Sequence, residues 1–172
     1  MGKRKKLDPL DVKILEELQR DCRMPLQDIA DRIRHPNDPS STVPTSTVHY
    51  RVKRLEKDGI IDGYYAKINP ELIGLDYITI IQILVTCKEY SDESIGEDLS
   101  KIPGVGAVYY SLGEQDFFVL TRSRNREEFL QILNKIMAVK GVLRTFTQVI
   151  AKVIKEDPRL NLSSLVRTKE ED

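Results

Sequence analysis

The stretch STVHYRVKRLEKDG, Ser46 to Gly59, gathers the side chains best able to act on a partner. At about 3.6 residues per turn, Val48, Val52 and Leu55 share one side of a helix. Ser46, Tyr50, Lys53 and Lys57 then point away from that side. Thr47 and Arg54 flank them on one side with Arg51 nearer the rim, and His49 flanks the other. Hydroxyls at a helix start and cations along its length can hydrogen-bond base edges and neutralise phosphates. A helix in the major groove sets its N-terminal residues on the bases and its flanking cations on the backbone. A lone basic helix is more often just a solvated face, so the reading depends on what surrounds it.

The surroundings favour duplex DNA. In LDPLDVKILEELQRDC, Asp8 can cap, Pro9 suits the first helical position, and Leu10, Ile14, Leu15 and Leu18 form an apolar stripe. PLQDIADRI predicts a second, shorter helix, and the 46–57 helix is the third, stopped by Gly59. IIDGYYAKINP alternates as a short strand. Three helices and a strand outline a winged helix-turn-helix. The connection between helices two and three, RHPNDPSSTVPT, is long and carries Pro36, Pro39 and Pro44, which predicts a loop.

After NPELIGLDY the pattern becomes strand–helix–strand twice: Tyr77–Cys87, Asp92–Ile102 and Val105–Leu112, then Phe117–Arg122, Arg126–Val139 and Val142–Ile154. Gly104-Val105 and Gly141-Val142 repeat at matching places. The expected class is α+β, an N-terminal winged helix-turn-helix followed by a ferredoxin-like βαββαβ domain. The expected division is a DNA-binding domain over 1–62, a hinge strand and linker over 63–75, a second domain over 76–156 and a tail over 157–172. In the first strand Tyr77, Thr79, Ile81, Ile83 and Val85 share one face, and Ile78, Ile80 and Leu84 share the other. Two helices cover only one side of such a sheet, so the second apolar face predicts pairing with another copy of the chain.

Other chemistries find little support. Cys22 and Cys87 have no ligand spacing and read as buried free thiols, and His35 and His49 form no metal motif. No Ser/His/Asp set or Gly-rich phosphate loop is present, and Glu127-Glu128 sit at a helix start where the dipole explains them. No metal, cofactor or catalytic residue is expected. The longest apolar-rich run holds Thr79, Gln82 and Thr86 and is too short and polar to span a bilayer. MGKRKKLDPLD has no apolar segment of a secretory signal, which points to a cytoplasmic protein with no membrane partner. The Lys/Arg run of that segment offers further phosphate contacts or is a basic tail.

The segments DVKILEELQRDCRMPLQDIADRI, STVHYRVKRLEKDGIIDGYYAKINPELIGL and IPGVGAVYYSLGEQDFFVL together resemble the Lrp/AsnC (feast/famine) transcriptional regulators, over roughly residues 7–156. The resemblance implies sheet-to-sheet dimers, often built into tetramers or octamers, and an amino-acid effector held between dimers. From spacing alone SLGEQDFF is an ordinary hairpin, with Gly113 permitting a tight turn and Asp116 folding back on backbone amides. In the resembled family the matching Gly-x-x-Asp turn borders the effector pocket. Gly113, Glu114, Gln115 and Asp116 are therefore candidates, with amides for a carboxylate and Asp116 for an ammonium. Thr145 and Thr147, on one strand face, and Tyr77 are the other candidates. The long loop 35–45 departs from the family's compact turn. A branch similar to the family decarboxylates tetrapyrroles using histidines in the ferredoxin-like half, where this chain has none. An architectural DNA binder without effector response is the remaining alternative.

Overall fold

The computed structural model describes residues 5–35, 38–86, 92–162 and 165. The chain folds as two compact units, one built from the chain up to Lys67 together with the chain from Asp157 onward, the other from Ile68–Glu156.

In the first unit α1 spans Pro9–Arg20, α2 Leu26–Arg32 and α3 Thr45–Lys57. Asp8 opens α1 with a full capping box: it accepts from the Asp11 amide, and the Asp11 carboxylate accepts from the Asp8 amide. The core joins Leu10, Ile14, Leu15 and Leu18 of α1 to Ile29 and Ala30 of α2 and to Val48, Val52 and Leu55 of α3. α3 ends where Gly59 turns left-handed at φ 67°.

Three sequence expectations need correcting. The connection between α2 and α3 is an antiparallel ribbon, β1 (Arg34–His35) and β2 (Asp38–Thr42), with Arg34 opposite Thr42. Prolines exclude helix but fit a two-stranded ribbon, where both strands are edges. The strand expected after α3 does not form: residues 62–69 are exposed and pair with no described strand, because a strand needs a ladder to satisfy its backbone. The start of the tail, residues 157–162, is tied to the first unit. The Gln19 amide donates to the Leu160 carbonyl at 3.1 Å and accepts from the Leu160 amide at 2.7 Å, and Leu162 is buried with α1.

In the second unit β3 is Tyr77–Val85, α4 Asp92–Ser100, β4 Val105–Tyr110, β5 Phe117–Ser123, α5 Arg126–Met137 and β6 Val142–Val149. The four strands form one antiparallel sheet in the order β4-β5-β3-β6, the ferredoxin-like arrangement expected. The last strand stops five residues short of the expected Ile154. Ile81, Ile83, Val85, Phe117 and Val119 pack under Ile95, Leu99, Phe129, Ile132 and Ile136 of the two helices. Gly104 (φ 94°) and Gly141 (φ 95°) make the matching turns into β4 and β6.

Among the described residues of this unit, both helices pack on that one face of the sheet. Register aligns Tyr109, Phe118, Gln82 and Phe146 across the other face in one row, and Ala107, Leu120, Ile80 and Gln148 in the next. Tyr109 and Phe146 are exposed, and Ile80, Leu84, Phe118 and Leu120 are half-buried. Cys22 is a half-buried free thiol just past α1, not a fully buried one, and Cys87 lies outside the described residues. Among the described residues no helix is long and apolar enough to cross a membrane.

Candidate nucleic-acid interface and effector region

The buried side of α3 is set by its three apolar residues, Val48 and Leu55 at 0% exposure and Val52 at 6%. Ser46, His49, Tyr50, Lys53 and Lys57 are consequently exposed, and Thr47 is half-buried. Tyr50 is 65% exposed, a large ring held out in water on a face with two lysines. α3 opens after Pro44, which has no side-chain group to cap its first amides. The Thr45 hydroxyl bonds Gln27, which ties the start of α3 to α2.

Arg51 and Arg54 have a different occupation from the one their sequence position suggests. Arg54 Nη2 lies 2.5 Å from Asp11 Oδ2, and Arg51 Nη1 lies 3.1 Å from Asp11 Oδ1 and also bonds Asp8. Asp11 is 1% exposed. The two guanidiniums and the Asp8 amide together satisfy a buried carboxylate, which welds α3 to the N-terminus of α1. Burial works against ionisation of Asp8, but the Asp11 amide and the Arg51 guanidinium outweigh it and hold the carboxyl below its ordinary value. These two arginines are therefore first of all structural, a correction with a simple reason: their partners lie on another helix. Behind α3 the Tyr64 hydroxyl donates to Glu56 at 2.9 Å, and burial with that carboxylate pushes its pKa up to about 12. Lys5 pairs with Asp58 at 2.7 Å, so one lysine of the basic N-terminus lies against the end of α3.

In the second unit the turn 111–116 joins β4 to β5. Asp116 is tied across to β3, not back onto its own turn: its Oδ2 accepts from the Val85 amide at 2.8 Å, and its own amide donates to the Ile83 carbonyl at 3.0 Å. Gly113 and Glu114 are exposed. Gln115 Oε1 is buried without a hydrogen-bond partner among the described residues. A Cβ on Gly113 would meet only Ser111 Oγ at 3.5 Å, so the fold itself does not require glycine there.

Thr145 lies in the same cross-strand row as Phe117 and Ile83, at the turn's end of the sheet, and Thr147 lies one row further on. Tyr77 is elsewhere. It pairs with Ser123 at the opposite end, about 20 Å away by strand rise. Its ring packs on Phe129 with centroids 5.7 Å apart. Sequence reasoning missed a hollow of about 500 Å³ beside the turn, lined by Glu93, Gly96, Glu97, Ser100, Val108, Tyr110 and Phe117. Its signal was Gly96, whose missing side chain makes room for the Phe117 ring: a Cβ there would sit 3.2 Å from that ring.

Residues 7–34 match the model of the AsnC-type helix-turn-helix domain, and residues 80–160 match that of the Lrp/AsnC ligand binding domain. The HTH-type transcriptional regulator FL11 of Pyrococcus furiosus is 34% identical over 154 residues, 90% of this chain and 95% of its own length. The chain belongs to the Lrp/AsnC family. An HTH-type transcriptional regulator of Pyrococcus horikoshii is 35% identical over 90% of this chain and 97% of its own length. Among solved Lrp/AsnC-like structures, the transcriptional regulator NMB0573/L-Met complex from Neisseria meningitidis superposes with a TM-score of 0.81. It is 25% identical and covers 94% of this chain and 100% of its own. The feast or famine regulatory protein Rv3291c of M. tuberculosis, complexed with L-methionine, gives a TM-score of 0.75 at 27% identity, covering 88% of this chain and 96% of its own.

Proposed function

We propose that this Lrp/AsnC protein is a sequence-specific DNA-binding transcriptional regulator, not an enzyme, which works as a dimer or larger assembly and answers to an amino acid. The observation that carries the reading is the outward face of α3, where Ser46, His49, Tyr50, Lys53 and Lys57 stand exposed on the helix that follows α2 in a helix-turn-helix unit. Ser46, Thr47 and His49 lie in the first turns, the part of such a helix that meets base edges. Lys53 and Lys57 supply phosphate neutralisation, and Tyr50 offers both a ring and a hydroxyl. Arg51 and Arg54 serve by fixing this helix against α1. The uncovered sheet face suits a second copy, which would bring two recognition helices to one palindromic site. A protein with this task works in the cytoplasm, where its DNA is.

For the effector, two structural relatives hold L-methionine, and the exposed turn residues Gly113 and Glu114, with the Thr145 hydroxyl in the nearby row and Thr147 in the next, offer polar groups towards one end of the sheet. Selection of bound duplexes from a random pool, followed by anisotropy with each of the twenty amino acids, tests both halves. The expected result is a palindromic site and a change in affinity with methionine or a close analogue. A flat response to all twenty would leave an architectural binder. No duplex binding at low ionic strength would overturn the reading.

A further inference from the structure

The ribbon β1-β2 has a sidedness that the function above does not use. Ile33 and Val43, which close its base, are buried at 4% and 2%, and the Val43 amide donates to the Ile33 carbonyl at 3.3 Å. His35 and Ser41 are half-buried, whereas Arg34, Ser40 and Thr42 are exposed. Arg34 pairs directly with Thr42, so their side chains share one face; beyond that pair the ladder is bulged, and His35 pairs with Asp38. One side of the ribbon thus seats inward, and the other presents the Arg34 guanidinium beside the Thr42 hydroxyl. Arg34 is exposed and makes no ion pair with the described residues. Arg34 and Thr42, the pair on the outer side, are polar and give no apolar anchor of the kind that holds protein–protein contacts.

Position gives this pair its partner. The ribbon runs through Val43 and Pro44 straight into the first turn of α3, the end that reaches base edges. The five residues of β2 span about 17 Å, more than the roughly 12 Å width of a major groove. A ribbon of that reach, fixed to the groove end of α3, lies where a sugar–phosphate strand borders the groove. Arg, Ser and Thr are the side chains that bond phosphate oxygens there.

We infer that the outer face of the β1-β2 ribbon is a second DNA contact, with Arg34 and Thr42 clamping the phosphate backbone beside the groove that α3 occupies. The inference rests on α3 being the recognition helix. It assigns the ribbon to affinity and register, not to base reading, since phosphates carry no sequence directly.

The test measures binding of the full chain to its selected site and to an unrelated duplex from 50 to 200 mM salt. The variants are Arg34→Ala, Thr42→Val and, as a control, Lys53→Ala. Arg34→Ala should weaken both duplexes by the same roughly three- to tenfold and lower the salt slope by about 1. Thr42→Val should weaken both slightly and leave the slope unchanged. Hydroxyl-radical footprinting should lose protection of one sugar–phosphate segment in Arg34→Ala. An unchanged slope and footprint with weakened Lys53→Ala would overturn the ribbon's role while the α3 reading stands, and would leave the ribbon to a protein partner. Unchanged binding in both Arg34→Ala and Lys53→Ala would overturn both. Circular dichroism melts should match wild type, since Arg34 is exposed and makes no described pair.

Discussion

Asp11 shows how a residue that contacts no ligand can decide where ligand contacts lie. Its buried carboxylate draws Arg51 and Arg54 inward and so leaves the outer face of α3 to Ser46, His49, Tyr50, Lys53 and Lys57. Removing it takes from Arg54 its carboxylate partner, leaves Arg51 to Asp8 alone and undoes one half of the capping box. Asp11→Ala should cost about 2 kcal/mol, with a lower thermal midpoint. Lys53→Ala should leave the midpoint unchanged and weaken duplex binding, which separates the structural cations from the contacting one. Asp8 carries the pH dependence of the same cluster. Its folded pKa is depressed, so its charge contributes stability that is present above about pH 4 and lost as pH falls through the lower native value. Asp8→Asn retains a cap but not the charge. Its stability deficit at pH 7 should therefore shrink as both proteins are titrated towards pH 2 and followed by thermal melts. A deficit that persisted at low pH would place the effect in the cap instead. The exposed set on α3 was legible in the sequence because it follows from helical period alone. The role of the arginines was not, because Asp11 lies 43 positions before Arg54 and no local pattern connects them.

Elements were legible wherever period and punctuation agreed, as in α1, α3 and the four strands of the sheet. The β1-β2 ribbon was not, because its prolines speak against helix without naming an alternative. The segment 62–69 was misread for the opposite reason: it alternates like a strand but has no partner in the described chain. Gly104 tests whether the repeated turns do the work assigned to them. At φ 94° an added Cβ would also stand 2.3 Å from Ile132 Cδ1, under α5. Gly104→Ala should destabilise the second unit by about 2 kcal/mol, read from urea unfolding. The tail is a second test at this scale. Two hydrogen bonds between Gln19 and Leu160, and the buried Leu162, make it part of the first unit. Leu162→Ala should cost that unit about 2 kcal/mol and leave the second unit untouched, a difference that hydrogen exchange can resolve by unit. Uniform loss across both units would contradict the division.

At the scale of the whole molecule the uncovered sheet face links the two ends of the function. The ferredoxin-like unit spends its two helices on one side of the sheet, and the rows through Phe118, Leu120, Ile80 and Phe146 remain without a helical cover. An exposed apolar face calls for a partner, and a two-fold axis lets the same face serve on both copies, each contact being made twice. Leu120→Glu places a charge in the middle of that face while leaving the helix-covered core of Val119 and Ile81 intact. The variant should keep its far-ultraviolet spectrum and sediment as a monomer where wild type sediments as a dimer or larger. With two recognition helices no longer joined, the second docking loses its high effective concentration, and affinity for a palindromic site should fall roughly 100-fold. Affinity for a single half-site should change little, since α3 and the β1-β2 ribbon are in the other unit. If Leu120→Glu remained dimeric, the pairing surface would have to lie elsewhere. If it were monomeric yet bound the palindrome as tightly as wild type, sheet pairing would have no part in presenting the recognition helices.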